Sequence, residues 1–461
     1  MASPEASASA ETGHFFRAIR SGYATQLLVA LTTFMGAVCQ ARLLGPAGRG
    51  QVVRFVNSSS LAALYLGFGI APAITYYLSG RSIDRTQLVH SLARLLGLVT
   101  IVVAALALMA AASPLRDRLF PDSFSVGQCV VAMIVYFPFA LAGVWCSAFI
   151  LAHRVFVPVN MVALAAAVTN ATISGILWVT RPAWGSGPGA IVVLMVVVEV
   201  CRFSALAMIA LTVCRDQPRE RLTGGGSPLR NLLSYSMYSY IGDAIQFVTY
   251  RADMWIIDAY HGAVDLGIYA LAVTLSQLLW ILPTTACSVI FAYVPGLERK
   301  AAAALTWRIG KLTGLASAVF ALVGCLLSLF VVPLIFGEPF RAVPRLMAVL
   351  VFGVVPYSFT KVLAGYLSGI RALGWNLLLA AIGLTICLAL DFALIPLGGA
   401  FGAALATAIA YSAHTILQVL VFKHMSGLSW SSLFTSPLAD LRMLRSMRDL
   451  QTRAIALPMT D

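Results

Sequence analysis

Charged side chains are scarce in this 461-residue chain: they make up 11% of it, where a soluble domain carries about 25%. That shortage excludes a soluble enzyme, a DNA-binding protein and a secreted disulfide scaffold. Eight cysteines are present, but none shows the spacing of a metal-ligand set, and all lie in or at the edges of apolar runs. They are expected to serve as small hydrophobes. No Gly-rich phosphate loop of the Walker A type occurs, so the chain is not expected to hydrolyse ATP itself. No Ser/His/Asp arrangement stands in the loops either. The expectation is therefore a protein that is not an enzyme, with no catalytic residues, no cofactor and no bound metal.

What the sequence has in abundance is apolar length. Hydrophobic residues make up 60% of it and the mean hydropathy is +0.89. A membrane-crossing helix needs about 20 consecutive apolar residues. Twelve such runs occur between residues 18 and 423, too long and uninterrupted for an outer-membrane barrel, whose strands alternate over about ten residues. The fold class expected is an all-α integral membrane protein of twelve transmembrane helices. Its organisation reads as a disordered N-terminal tail (1–14), a six-helix bundle (15–214), a linker (215–229), a second six-helix bundle (230–423) and a basic tail (424–461). The first apolar run lacks a convincing cleavage site and reads as a retained helix rather than a signal peptide.

The net charge of +13 is spread through the short gaps between runs, as orientation signals are. With the N-terminus inside, Lys and Arg on that side outnumber those on the other by more than two to one. Both termini are thus expected in the cytoplasm. The tail arginines Arg442, Arg445 and Arg448, spaced by threes, suit a helix lying beside anionic lipid, and no nucleic-acid partner is implied.

An internal repeat defines the architecture. Gly45-Pro46-Ala47-Gly48-Arg49-Gly50 and Gly262-Ala263-Val264-Asp265-Leu266-Gly267 both follow the first span of their half, 217 residues apart. The Leu119–Phe124 stretch matches Ile335–Phe340 at an offset of 216, and Arg154 and Asn160 pair with Arg371 and Asn376 at 217 and 216. With six spans per half, the repeat is parallel, and the halves should be related by a pseudo-two-fold axis along the membrane normal with a site between them.

The run Ala41-Arg42-Leu43-Leu44-Gly45-Pro46-Ala47-Gly48-Arg49-Gly50 resembles the opening of bacterial polysaccharide flippases. So does Tyr250-Arg251-Ala252-Asp253 with the following Leu266-Gly267-Ile268-Tyr269-Ala270. These are the Wzx-like (O-antigen) members of the multidrug/oligosaccharidyl-lipid/polysaccharide exporter superfamily, and the resemblance covers about residues 14–425. It implies a substrate, an undecaprenyl-pyrophosphate-linked oligosaccharide carried across the inner membrane for surface or exopolysaccharide synthesis. It also implies alternating access coupled to an ion gradient of H⁺ or Na⁺, in the manner of an antiporter. The partners implied are membrane lipid, a polysaccharide polymerase and chain-length machinery.

Ionisable residues within the spans are the candidate site, because a charge in lipid costs about 2.5–3.5 kcal/mol on insertion scales. Arg54, with Asn57 on its face of span two, reads as a phosphate or sugar contact, or else as an arginine reaching the headgroups. Lys361, with Tyr357 on its face of span ten, is the better cation for a pyrophosphate; a structural ion pair is the alternative. Arg251 reads as a substrate contact, or as a gate pair with Asp253. Tyr238, among the tyrosines and serines of span seven, suits a sugar ring. Asp243 in span seven and Asp391 in span eleven are the ion-coupling candidates, since a buried carboxylate can trade its charge for a proton. Glu199 and Arg202, three apart on span six, should pair with each other. His414 is expected as a bundle residue or a relay.

Three rivals differ in class. A multidrug cation antiporter should carry a carboxylate in the middle of its first spans, and none is present in the first five. A peptidoglycan-precursor flippase typically has fourteen spans. A membrane-embedded polymerase or ligase should have a long outer loop, and every loop here is short.

Overall fold

The computed structural model describes residues 4–428 except 80–84, 115, 117–119, 121, 123, 154, 156, 183–184, 186, 216–227 and 295–297; side chains go undescribed at scattered helix positions, chiefly before Leu27 and over 228–239. Among the described residues there is no strand, and the all-α expectation holds. The helices are α1 (Pro4–Gly67), α2 (Ile70–Ser79), α3 (Arg85–Ala111), α4 (Val126–Ala152), α5 (Val157–Thr180) and α6 (Pro188–Arg215). They continue as α7 (Pro228–Gln277), a 3₁₀ turn (Leu278–Trp280), α8 (Ile281–Tyr293), α9 (Arg299–Phe336), α10 (Val343–Gly369) and α11 (Leu373–Ser426).

Nine of these are long and apolar enough to cross a membrane, among the described residues. Three are broken once by a glycine: Gly45 in α1 (φ 65°, ψ −174°), Gly262 in α7 (φ 79°, ψ −172°) and Gly399 in α11 (φ 53°, ψ −135°). Each break divides one helix into two crossings, which brings nine helices to the twelve crossings expected. Gly45 and Gly262 are the repeat partners found in the sequence, and they adopt nearly the same backbone conformation. A positive φ of this kind is open to glycine and costly to a residue with a Cβ. Large apolar side chains face outward along the helices, with Leu397 88% exposed and Val179 and Phe330 each 77% exposed. A soluble protein does not display such a surface; hydrocarbon accepts it.

Two sequence expectations about the ends are corrected or limited. Residues 1–14, expected to be disordered, are helical from Pro4: Ala and Glu are strong helix formers, and Pro is tolerated at the first helical position. The 215–229 linker and the 424–461 tail lie mostly outside the described residues. What is described shows α11 running to Ser426 and ending at Gly427 in the left-handed conformation.

The chain forms two compact units. The first comprises residues 1–247 with Gly262–Gly267, the second Val248–His261 with residues 268–461. The division falls inside α7, later than the boundary at 214 and 230 expected from sequence. The first part of α7 packs on the first unit, where the Tyr240 hydroxyl donates to the Tyr65 carbonyl at 3.2 Å and the two rings lie edge to face at 6.4 Å.

In the first unit, Phe55, Ile70, Ile74, Leu88 and Phe137 form a core with no exposed surface. Gln40 donates to Asn170 Oδ1 and Ser174 Oγ at 3.1 and 3.2 Å, tying α1 to α5. Ser125 and Gln128 close a capping box that starts α4. The Gly262–Gly267 segment approaches the 45–50 turn closely. A Cβ on Gly50 would fall 1.8 Å from the Ala263 carbonyl oxygen, and one on Gly267 would fall 2.0 Å from that of Pro46. The two contacts repeat each other, so the glycine spacing of the repeat is a packing requirement.

In the second unit, α10 is the central helix. Its Gly353 meets the backbone of Thr407 and Ala408 of α11, where a Cβ on the glycine would fall 2.6 Å from the Ala408 Cα. Small residues let helices approach where lipid offers no hydrophobic driving force between them.

Candidate functional site

Lys361 and Tyr357 stand four residues apart on one face of α10, as read from the sequence. The structure surrounds the lysine with aromatic rings of the second unit. Its Nζ lies 4.4 Å from the ring centre of Trp280 and 5.7 Å from those of Tyr250 and Tyr357. It donates to the Tyr250 hydroxyl at 3.4 Å, and no carboxylate lies within salt-bridge distance of it among the described residues. The rings come from four elements: Tyr250 from α7, Trp280 from the 3₁₀ turn, Tyr357 from α10 and Tyr411 from α11. They pack on one another, Tyr357 and Tyr411 stacked at 4.6 Å, Tyr250 and Trp280 at 5.1 Å. The Trp280 contact carries most of a cation–π attraction of about 0.5–2 kcal/mol, the two tyrosine rings lying near its outer limit of about 6 Å, and ammonium N–H groups are left available for an anion.

One turn beyond Tyr250 on α7 sits Asp253, 4% exposed. Its Oδ2 accepts from Tyr269 at 2.5 Å and its Oδ1 from the Met254 amide at 2.7 Å. Tyr269 Oη lies 3.1 Å from Thr407 Oγ1 of α11. Since the single tyrosine proton is given to Asp253, Thr407 donates to the tyrosine oxygen. Asp391 of α11 is fully buried, with Cys387 Sγ 3.4 Å from its Oδ2; its Oδ1 meets no protein hydrogen-bond partner. Cys387 also reaches the Thr249 carbonyl at 3.8 Å. A buried carboxylate oxygen without a donor costs free energy unless a proton or small cation joins it. Among the described residues, no group of three or more His, Cys, Asp and Glu is arranged to hold a metal ion. Asp253, Tyr250, Trp280, Tyr411, Tyr269 and Thr407 also line one cavity of this unit.

Other sequence-read residues fall elsewhere. Arg54 is held by a carboxylate: its Nη1 lies 3.0 Å from Asp122 Oδ1, and Gln51 donates to the other oxygen at 2.6 Å. Asn57 is buried nearby on the same helix. Arg251 makes no salt bridge to Asp253 within 4.0 Å, although the two charges are near enough to interact, and its Nη1 lies 3.5 Å from Met254 Sδ. Asp243 is exposed and belongs to the first unit, whereas Asp391 is buried in the second. Tyr238 is helical, with its side chain outside the described ones. Arg202 and Glu199 pair as expected, through Nε bonds of 2.9 and 3.1 Å. His414 packs edge-on to Tyr357 at 5.4 Å. Sequence reasoning missed Trp280 and Thr407 entirely, and met Tyr269 only as part of the run that carries the family resemblance, without a role. Only the Tyr250–Asp253 spacing of three hinted that a ring and a carboxylate share a face.

Known proteins were compared with this architecture. A flippase structure titled "Lipid II flippase MurJ, inward closed conformation" superposes with a TM-score of 0.64 at 13% identity, over 95% of this chain and 93% of that one. "Crystal structure of MATE in the bent conformation" gives 0.56 at 18% identity, covering 90% and 96%. An inward-facing multidrug resistance MATE family transporter of the MOP superfamily gives 0.54 at 15%, covering 86% and 94%. At such identities these matches establish a shared fold. A search of curated proteins finds no match. The polysaccharide biosynthesis protein family model matches residues 20–295, more than half of the sequence, and the chain belongs to that family.

Proposed function

We propose that this protein is a flippase that carries undecaprenyl-pyrophosphate-linked oligosaccharide units across the bacterial inner membrane, with both termini in the cytoplasm. One observation carries the reading: Lys361, an ammonium held among aromatic rings inside a membrane-spanning unit, has no carboxylate beside it among the described residues. A cation retained at that cost is suited to an anion delivered from outside the protein, and a pyrophosphate is such an anion. The surrounding rings offer apolar faces of the kind sugars stack on. Arg54 contributes less than its position in the sequence suggested, because Asp122 already occupies its guanidinium.

Asp253 and Asp391 are the ion-coupling groups of this reading. Both are buried in the unit that holds Lys361, and Asp391 keeps an oxygen unbonded. A change of charge there is felt by the lysine through a medium of low dielectric. The second reading, a multidrug cation antiporter, shares the fold, but a cavity presenting Lys361 repels organic cations. Peptidoglycan precursor, the cargo class of the lipid II flippase match, shares the pyrophosphate; membership of the polysaccharide family favours an oligosaccharide unit instead.

The test is deletion of the gene. Lipid-linked oligosaccharide should accumulate on the cytoplasmic face, surface polysaccharide should disappear, and the intact gene should restore both. Asp391→Asn and Asp253→Asn should fail to restore them. Normal surface polysaccharide with raised sensitivity to cationic drugs would transfer the assignment to the antiporter.

A further inference from the structure

The cavity of the second unit has room for about one water molecule. Two of its lining groups are orphaned. Ser276 Oγ and Trp280 Nε1 belong to residues 2% and 9% exposed, and neither finds a hydrogen-bond partner in the protein. Buried polar atoms are satisfied in more than nine cases in ten, and each exception calls for a partner. The chemistry of the lining selects that partner. The indole N–H can only donate, so the occupant must present a lone pair to it. A bare metal cation has none, and the N–H hydrogen repels it. An anion would accept the bond but would lie against Asp253, which lines the same cavity. A neutral molecule that both accepts and donates satisfies all three groups, and only water is small enough.

Asp253 has the capacity to receive it. Of its roughly four lone-pair positions, the Met254 amide and Tyr269 hydroxyl use two and the Thr407 hydroxyl, which also faces the carboxylate, takes no more than a third. Trp280 presents its other chemistry, the ring face, to Lys361 at 4.4 Å. One side chain thus touches both the cavity beside the carboxylate and the ammonium.

We propose that a single water bound by Trp280 Nε1, Ser276 Oγ and Asp253 joins the carboxylate to the aromatic enclosure of Lys361, making Trp280 and Ser276 positioning residues. The water is the hydrogen-bonded route by which a charge change at Asp253 reaches the ring that holds the lysine. Its consequence for transport rests on the flippase reading; its existence does not.

The experiment is ultraviolet resonance Raman spectroscopy of the full chain in detergent, in ordinary and heavy water. Subtracting the Trp280→Phe spectrum isolates this indole from the other seven. The Trp280 N–H band should fall at the hydrogen-bonded position and should move to the unbonded position in Ser276→Val, whose extra methyls fill the cavity. A Trp280 band at the unbonded position in the unaltered protein overturns the proposal, as does a band that Ser276→Val leaves in place. If Ser276→Val does not fold, Ser276→Ala serves: it removes one of the water's partners without filling the space, and the band should shift part of the way. In proteoliposomes Trp280→Phe keeps a ring over Lys361 and loses only the donor. It should cut the dependence of transport on the ion gradient about tenfold. Bonded water without that loss of coupling overturns the positioning role. A substrate that proves to be of another class leaves the Raman result decisive.

Discussion

Replacing Lys361 with Met separates a lysine kept for transport from one kept for structure. The side chains are similar in length, so packing against Trp280 survives while the charge is lost. An ammonium in a membrane span costs about 2.5–3.5 kcal/mol on insertion scales. The rings return about 0.5–2 kcal/mol of that through cation–π attraction, led by Trp280 at 4.4 Å. No salt bridge offsets the remainder among the described residues. The difference, about 0.5–3 kcal/mol, is stability that the protein forgoes, so Lys361→Met should melt at a temperature equal to or above that of the unaltered protein. Its ability to restore surface polysaccharide in the deletion strain should fall to background. Lys361→Arg keeps the charge but replaces a compact ammonium with a planar fork, and should restore it only in part. The assays are a thermal melt followed by fluorescence-detected chromatography and the polysaccharide yield at matched expression. A melting temperature that drops together with yield would refute the reasoning, because it would make the cation a structural element of the ring cluster.

Two further predictions concern stability. Arg202→Met strands the Glu199 carboxylate in a span, and with side chains 26% and 13% exposed the loss should be about 3 kcal/mol; the double variant Glu199→Leu with Arg202→Met should recover most of it. Melting of the single and double variants tests this, and an unchanged single variant would show the pair to be idle. Gly262→Ala should cost about 1–2 kcal/mol, because φ of 79° places a Cβ against the carbonyl. Gly267→Ala should cost more, since its Cβ would stand 2.0 Å from the Pro46 oxygen and backbone must move; a melt in which the two rank in reverse would show the close approach to be loose.

The architecture was legible because it repeats. Two glycine-bounded turns at one offset announced two six-span halves, and the structure gives Gly45 and Gly262 the same backbone conformation. The tightness of the link between paired spans was not legible: a glycine between two apolar runs reads as a loop, yet at one positive φ it redirects the chain from one helix to the next within a single residue. Lys361 was legible for a different reason, since four lysines in the chain make one inside a span conspicuous. Partnerships are what the sequence hid. Arg54 looked available because its carboxylate, Asp122, lies 68 residues away in a loop. Asp253 looked like the partner of Arg251 because they are neighbours in sequence, but two residues along a helix turn side chains about 200° apart. Its real partner is Tyr269, sixteen residues on and past the Gly262 break, with Thr407 behind it from another helix. Trp280 gave no signal at all, because a tryptophan in an apolar run is ordinary. What singles it out is a pair of contacts on opposite aspects of one ring system, the face toward an ammonium and the N–H lining a cavity shared with a carboxylate. Residue type and spacing cannot encode that, since the three groups come from α7, the 3₁₀ turn and α10 and meet only after the second unit has packed.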